Sequence, residues 1–327
     1  MEDQTLLLEN GRKSYKQLGF ALFLLVVCSL AMELALGIGL GVVETLGCSL
    51  PQDSWFNWVL TFLPLYAVAI PVALLAMKKV PVQTAEKTTL SGESFLLFAL
   101  MAIPLMYGGN IIGTLLSSLF SGGEAENALL EYAFDTSPLK ILVMVGLAPL
   151  LEELVFRKFL LDRTAAYGER TAALFSALTF GLFHMNLFQF FYAFAVGWLF
   201  AVVYLRTRRL VYPVVLHMLV NFIGSVLAPW ILSILDISML DQMSAGTLSE
   251  AAMMEALPNL LVYGGYVLGL LFLSVTGLIV LIIQAKTLRL DRGELPKGQR
   301  IRMAYGHGWT IAFLLLCAAM FVVSLAV

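Results

Sequence analysis

Long runs of apolar residues, separated by short polar connections, extend along almost the whole chain. A helix that crosses a bilayer needs about 20 mostly apolar residues. Nine runs meet or approach this length, and they cover residues 18–46, 57–77, 93–120, 139–161, 171–187, 189–205, 210–234, 258–285 and 308–326. The pattern therefore predicts an all-α, polytopic membrane bundle of about nine transmembrane helices.

The composition agrees with this fold class. Of the 327 residues, 60% are hydrophobic and only 13% are charged, which is the balance of a polytopic membrane protein rather than of a soluble domain. No basic patch with interleaved aromatic residues indicates a nucleic-acid partner. The three cysteines are far apart and show no CxxC spacing, so neither a disulfide framework nor a thiolate metal site is predicted.

The positions of the lysine and arginine residues predict the orientation of the chain. If nine spans alternate, every basic residue except Lys140 lies on one side of the membrane, and basic residues favour the cytoplasmic side. This places the N-terminus in the cytoplasm and the C-terminus outside. The fifth and sixth runs are short, but merging them would move the basic cluster 206-RTRR-209 to the outside, which favours two separate spans.

Few ionisable side chains lie inside the predicted spans, and each costs about 2.5–3.5 kcal/mol on insertion scales. Away from the span ends they are Glu33 in the first span, Glu152, Glu153 and Arg157 in the fourth, His184 in the fifth and His217 in the seventh, with Asn221 as a neutral polar companion. At a rise of about 1.5 Å per residue, the polar groups of the fourth, fifth and seventh spans fall in one slab near the midplane. A shared site explains this better than three unrelated packing contacts.

Helix geometry predicts that the two adjacent glutamate side chains point in different directions and have different partners. Glu153 and Arg157 are four residues apart, so they share a face and can form an ion pair. Glu152 points about 100° away from Glu153 and has no such partner. His217 and Asn221 are also four residues apart and face the same neighbour. A structural alternative remains open, in which the ion pair snorkels at a helix end and the other polar groups join helices by hydrogen bonds.

This set of residues suits the hydrolysis of an amide bond. A carboxylate can act as a general base toward water, and histidine and asparagine side chains can donate hydrogen bonds to a developing oxyanion. No GxSxG motif, phosphate loop or GxGxxG fingerprint is present, so direct attack by water is the simpler mechanism. A zinc site remains a competing hypothesis, with Glu152, His184 and His217 as ligands and water in the fourth position, although the sequence has no HExxH motif.

Three short motifs in this region resemble those of a known family. The segments 152-EELVFR-157, 180-FGLFH-184 and 217-HMLVN-221 fit the motifs EExxxR, FxxxH and HxxxN, in the same order and on the fourth, fifth and seventh spans. On these motifs the chain is similar to the CAAX-protease and bacteriocin-processing family, also called Abi, which includes the Ras-converting CAAX endopeptidase. The resemblance covers residues 139–230.

The resemblance implies an intramembrane glutamic endopeptidase that needs no cofactor. The family's site residues carry over onto a water-activating pair, Glu152 and His184, an oxyanion hole of His217 and Asn221, and an orienting pair, Glu153 and Arg157. The implied partners are a membrane-associated peptide or protein substrate and the lipid bilayer, in the plasma membrane of a bacterium. Nothing in the sequence selects prenylated substrates.

The predicted organisation is a cytoplasmic tail, residues 1–17, followed by a single membrane domain, residues 18–327. Within it lies a catalytic core at about 139–230, and the helices 258–285 and 308–326 follow that core. Since the family core has eight spans, the last helix is an addition. Two other functions stay open: a proton-coupled carrier, in which the buried acids and histidines relay protons, and a non-catalytic immunity or scaffold protein that keeps the fold.

Overall fold

The computed structural model describes residues 2–51, 53–83, 85–127, 129–235, 242, 245–246 and 249–326. Across these residues the regular structure is helical and no strand is present, which confirms the predicted all-α class. The physical reason is that lipid offers no hydrogen-bond partners to the backbone, and a helix satisfies its own N–H and C=O groups within the segment.

The α-helices are numbered here in chain order. The first six are α1 Glu2–Thr45, α2 Ser54–Leu63, α3 Ile70–Met77, α4 Gly92–Ser121, α5 Leu129–Phe134 and α6 Ala148–Glu153. The remaining ones are α7 Glu169–Phe183, α8 Leu187–Thr207, α9 Val211–Phe222, α10 Ala228–Ser233, α11 Glu250–Ile283, α12 Lys297–Tyr305 and α13 Gly308–Ala326. Several are extended by π-helical turns at Pro64–Ala69, Ile141–Leu147, Leu154–Phe159 and Ile223–Leu227, and short 3₁₀ turns occur at Ala165–Tyr167 and Gln284–Lys286.

Seven helices among the described residues are long and apolar enough to cross a membrane. The chain is therefore an integral membrane protein, and all nine predicted runs are helical. The fourth and fifth predicted runs are not among these seven helices. The fourth carries four charged residues between positions 152 and 158. The fifth, α7, has 15 residues, or about 22 Å, which is less than the hydrocarbon thickness of about 30 Å. The count of nine spans and the orientation of the termini stay predictions.

The fourth run forms a rod from Ile141–Leu147, α6 and Leu154–Phe159, which we name the motif helix. Both of its outer parts are π-helical. In a π-helix the hydrogen bonds join residues five apart, so the turns are wider than in an α-helix, and such turns are frequent at functional sites. The adjacent acids Glu152 and Glu153 end the α-helical part between the two π-helical parts.

Helix α8 lies at the centre of the bundle and packs along both α4 and α7. Its approach to α4 depends on two glycines four residues apart. A side chain at Gly109 would overlap the backbone of Tyr192, and one at Gly113 would overlap the carbonyl oxygen of Leu187. Small residues at this spacing let two membrane helices come into backbone contact. This contact fixes the position of α8, and with it the α7–α8 turn.

Helix α1 is continuous from Glu2 to Thr45, a length of about 66 Å, so the residues expected to form an N-terminal tail are part of it. Tyr15 is fully buried. Its ring packs edge-on against Phe175 of α7, with 5.1 Å between the ring centroids. The start of α1 is therefore packed against the bundle, and the division between tail and membrane domain stays a prediction.

Candidate active site

An ion pair on the motif helix lies at the centre of the candidate site. Glu153 Oε2 is 2.9 Å from Arg157 Nε, and both side chains are fully buried. The i,i+4 spacing predicted this pair, and the structure confirms it. Neither Glu153 Oε2 nor the nitrogens of the Arg157 guanidinium have a hydrogen bond of good geometry within the described part of the chain. The contact is therefore chiefly electrostatic.

Aromatic rings surround the Arg157 guanidinium. Its central carbon lies 4.4 Å from the ring centroid of Phe180 and 5.7 Å from that of Phe200, which are distances at which a cation is attracted to an aromatic face. Gly197 of α8 leaves the space for this arrangement. A Cβ atom there would lie 2.8 Å from a ring carbon of Phe180 and 3.5 Å from Arg157 Nη2. The glycine thus permits α8 to close over the buried arginine.

His217 of α9 joins the two glutamates of the motif helix. Its Nδ1 lies 3.0 Å from Glu153 Oε1, and its Nε2 lies 3.9 Å from Glu152 Oε2. Because an ionised carboxylate can only accept hydrogen bonds, Nδ1 carries the proton in the first contact. The second distance is too long for a direct hydrogen bond. Glu153 therefore fixes the imidazole ring, and the free edge of the ring faces Glu152.

His184 lies at the C-terminal end of α7, next to Phe180. Its Nδ1 is 2.9 Å from the Phe180 carbonyl oxygen. Since a carbonyl oxygen only accepts hydrogen bonds, Nδ1 is the protonated nitrogen, and Nε2 of the neutral ring keeps its lone pair. No hydrogen bond or ion pair joins His184 to Glu152 in the described residues. The resemblance predicted that these two residues act together, and the structure shows no direct contact between them.

A sharp turn after His184 carries a second polar network, which the sequence analysis did not identify. Met185 adopts a left-handed conformation, with φ of 56°. Asn186 caps α8 by accepting a hydrogen bond from the Gln189 N–H, and its amide donates to the His184 carbonyl and to Gln189 Oε1. The Gln189 amide in turn donates to the Tyr192 hydroxyl at 3.1 Å. The spacing of Asn186 and Gln189 is a helix-start signal related to the capping box, which could have located this turn.

Asn221 of α9 is held by the motif helix. Its Nδ2 donates to the Met144 carbonyl oxygen at 2.8 Å. In the π-helical part of the motif helix, the Ala148 N–H donates to Val143, five residues earlier. In the same register Met144 would pair with residue 149, but Pro149 has no N–H. The Asn221 amide supplies the missing donor, and this fixes α9 against the motif helix.

An apolar groove of about 380 Å³ reaches the motif helix from the side of α2. Its walls include Trp58, Phe62, Tyr66, Val143, Leu147 and Leu151. Leu151, one of these walls, directly precedes Glu152 on the motif helix, so the groove reaches the turn that carries this acid. Tyr192 of α8 lies beside His184, with 6.5 Å between the ring centroids. No sequence motif indicated either tyrosine, because only the packing of α8 and of the second span brings them to the site.

The side chains do not fit the zinc hypothesis. The described residues contain no group of three or more histidine, cysteine, aspartate or glutamate side chains that could hold a metal. We therefore derive no step through zinc.

The fold and this site define a class of integral membrane protein with a buried cluster of glutamate, arginine and histidine between packed helices. Residues 134–223 match the family model described as Type II CAAX prenyl endopeptidase Rce1-like. All the candidate residues named above in the motif helix, α7 and α9 fall within this stretch. This part of the chain is thus similar to the Rce1-like CAAX prenyl endopeptidase family, in agreement with the resemblance that the three motifs indicated.

Two bacterial proteins are similar to the chain. Over 167 residues it is 31% identical to the "Putative membrane peptidase YdiL" of Bacillus subtilis (strain 168), which covers 48% of this chain and 66% of the relative. Over 92 residues it is 38% identical to the "Membrane-embedded CAAX protease MroQ" of Staphylococcus aureus (strain USA300), which covers 26% of this chain and 37% of the relative. The matches thus span less than two thirds of either relative's length. No solved structure matches the chain significantly.

Proposed function

We propose that this chain is an intramembrane endopeptidase that hydrolyses a peptide bond of a membrane-associated peptide or protein, with water activated by Glu152 and His184. One observation carries the proposal. Glu152 Oε2 faces Nε2 of His217 across 3.9 Å, and the other nitrogen of that ring is fixed by Glu153. A buried acid beside an oriented imidazole is the geometry that general acid–base catalysis needs. The descriptions of the family and of both relatives support the same reaction class.

In the proposed reaction, water gives a proton to Glu152 while its oxygen bonds to the carbonyl carbon of the substrate. The proton then passes to the leaving nitrogen as the C–N bond breaks, which regenerates the Glu152 carboxylate and yields a new carboxyl and a new amine terminus. His184 supports the first step, because its Nε2 lone pair can accept a hydrogen bond from the attacking water. Tyr192, held by Gln189, lines the same side of the site, with its ring centroid 6.5 Å from that of His184.

His217 and Asn221 are the proposed donors to the developing oxyanion. Asn221 uses one amide hydrogen on the Met144 carbonyl and keeps a second one for the substrate. His217 is oriented by Glu153 before any substrate binds. Because its Nδ1–H is already donated to Glu153, His217 donates to the oxyanion from Nε2 in its imidazolium form. Donors fixed in advance stabilise developing charge without having to reorganise during the reaction. The Glu153–Arg157 pair has an orienting role in this scheme, because it holds the ring that faces Glu152.

The test is cleavage of membrane-anchored peptides by the full chain in liposomes, with products identified by mass spectrometry. Glu152→Ala and His184→Ala should each reduce cleavage at least about 100-fold, the lower range for a general acid–base group. Glu33→Gln, which changes another acid within an apolar helix, is the matched control and should cleave at the parent rate. Size-exclusion chromatography confirms folding. Cleavage at the parent rate by folded Glu152→Ala protein would contradict the assignment.

The two other functions give different results in the same liposomes. A proton-coupled carrier would show substrate-dependent proton uptake and would tolerate changes at Asn221. A non-catalytic immunity or scaffold protein would produce no new peptide termini, and replacement of the candidate residues would leave its phenotype intact. Cleavage that depends on Glu152 separates the endopeptidase from both.

A further inference from the structure

A basic pocket lies outside the candidate active site, where the start of α7 meets the connection after α11. It has a volume of about 470 Å³, within the range of small-ligand sites, and it is lined by Arg170, Trp198, Leu288, Arg289, Leu290 and Arg292. The proposed reaction uses none of these residues, and they fit none of the three family motifs. The pocket therefore needs an explanation of its own.

Backbone contacts build this pocket and leave the arginine side chains available. The Arg170 N–H donates to the Asp291 carbonyl at 2.9 Å, and the Gly293 N–H donates to the Asp291 carboxylate at 3.0 Å. Gly293 has φ of 72° and packs its backbone against Gly168, just before α7. The connection is thus fixed to the start of α7 without a hydrogen bond from the guanidinium groups of Arg170, Arg289 or Arg292 among the described residues.

No ion pair within the described residues holds the arginines of the pocket. Arg170, Arg289 and Arg292 are exposed, and none of them makes a side-chain hydrogen bond or ion pair with a residue that the structure describes. The nearby acid Glu169 is engaged by Arg208 at 3.3 Å. Three like charges around one cavity favour an anion, and arginine binds phosphate oxygens with paired, charge-assisted hydrogen bonds.

The inner wall of the pocket is apolar. Leu288 is buried with 4% exposure, and Trp198 is partly buried against the two core clusters of the bundle. Trp198 lies nine residues before the end of α8 at Thr207, or about 14 Å along the helix. The pocket therefore joins a basic rim to an apolar interior that extends into the membrane region. An inorganic anion would occupy only the rim, whereas an amphipathic anion would occupy both parts.

We propose that this pocket binds one anionic phospholipid, with its phosphate on Arg170, Arg289 and Arg292 and the first part of its acyl chains against Trp198 and Leu288. The position agrees with the expected depth of a head group, because the arginines of this pocket belong to connections that the nine-span prediction places on the cytoplasmic side. Basic pockets between membrane helices on the cytoplasmic side are a recognised form of lipid-binding site.

The experiment measures lipid binding to the purified full chain in neutral detergent by native mass spectrometry, with phosphatidylglycerol and phosphatidylcholine as probes. The parent protein should retain one phosphatidylglycerol and show weaker retention of phosphatidylcholine. Arg289→Gln/Arg292→Gln should weaken phosphatidylglycerol binding about tenfold or more, or about 1.4 kcal/mol or more, because charge-assisted hydrogen bonds to the phosphate are lost. Arg292→Gln alone serves as a milder variant if the double variant does not fold.

The matched control is Arg12→Gln/Arg302→Gln, which removes two exposed arginines from the same side of the bundle but outside the pocket. It should change phosphatidylglycerol binding less than twofold. Equal loss in both double variants would overturn the proposal, because the lipid would then respond to surface charge alone. Inorganic phosphate that displaces phosphatidylglycerol when the two are at equal concentration would also overturn the proposal, because it would show that the pocket binds a free anion.

Discussion

Glu153 and Glu33 are both acids in apolar helices, yet their surroundings have little in common. Glu153 is completely buried and contacts Arg157 on its own helix and His217 on α9. Glu33 is exposed on α1, and its carboxylate accepts a hydrogen bond from Ser29, one turn earlier on the same helix, at 2.8 Å. One acid joins two helices, and the other makes a contact within a single helix.

The difference shows how this bundle uses polar groups. Around Glu153, charged and aromatic side chains from the motif helix, α7, α8 and α9 pack together, so that removing one member leaves another buried and unpaired. Such losses are severe, because a buried charge without a partner is costly. Around Glu33, the helix surface is apolar and faces outward, as at Leu34 and Ile38. A change there leaves no buried group unpaired.

The largest expected effect comes from removing the arginine of the buried pair. Arg157→Met leaves the Glu153 carboxylate buried with its charge uncompensated, so the free energy of unfolding should fall by about 3–5 kcal/mol. The change is measured by thermal unfolding in detergent. The double variant Glu153→Gln/Arg157→Met should recover part of the loss, because no buried charge remains. Glu33→Gln should shift stability by less than about 0.5 kcal/mol. Equal effects at Arg157 and Glu33 would remove the distinction between the two regions.

A smaller effect is expected from the glycine that faces the buried pair. Gly197→Ala places a methyl group against Phe180 and Arg157, so stability should fall by about 1–3 kcal/mol through overpacking. The matched control is Gly269→Ala on α11, where an added Cβ meets no atom within 4 Å, and stability there should be unchanged or slightly higher. Both variants are compared by the same thermal unfolding assay. A destabilised Gly269→Ala with an unaffected Gly197→Ala would contradict the packing around Arg157.

The smallest effect concerns the contact between α9 and the motif helix. Asn221→Leu leaves the Met144 carbonyl without its donor, and the expected loss is about 1–2 kcal/mol. In a Pro149→Ala background, residue 149 regains an N–H that can reach this carbonyl, so the same substitution should cost less. A double-mutant cycle measured by thermal unfolding provides the test. An identical cost in both backgrounds would show that the missing N–H is not what Asn221 compensates.

Much of the fold could be predicted because the physical signal is local. Length and hydropathy identified the helical segments, and the spacing of Glu153 and Arg157 identified their pair. Other features depend on distant contacts. His184 was expected within a span that ends at residue 187, but α7 ends at Phe183, because Met185 turns left-handed and Asn186 starts α8. Hydropathy does not detect a turn of this kind between two apolar segments.

The sequence by itself determined that this is an all-α membrane protein and that its polar residues lie on three particular segments, since hydropathy and helical periodicity are properties of neighbouring positions. Only the tertiary structure decided which of those residues meet. It placed His217 between Glu152 and Glu153, paired the Asn221 amide with the Met144 carbonyl, and brought Tyr192 beside His184. The physical reason is that these contacts depend on how the helices pack, through the glycines of α4 and α8 and the register of the motif helix, and helix packing is not encoded in the spacing of any one segment.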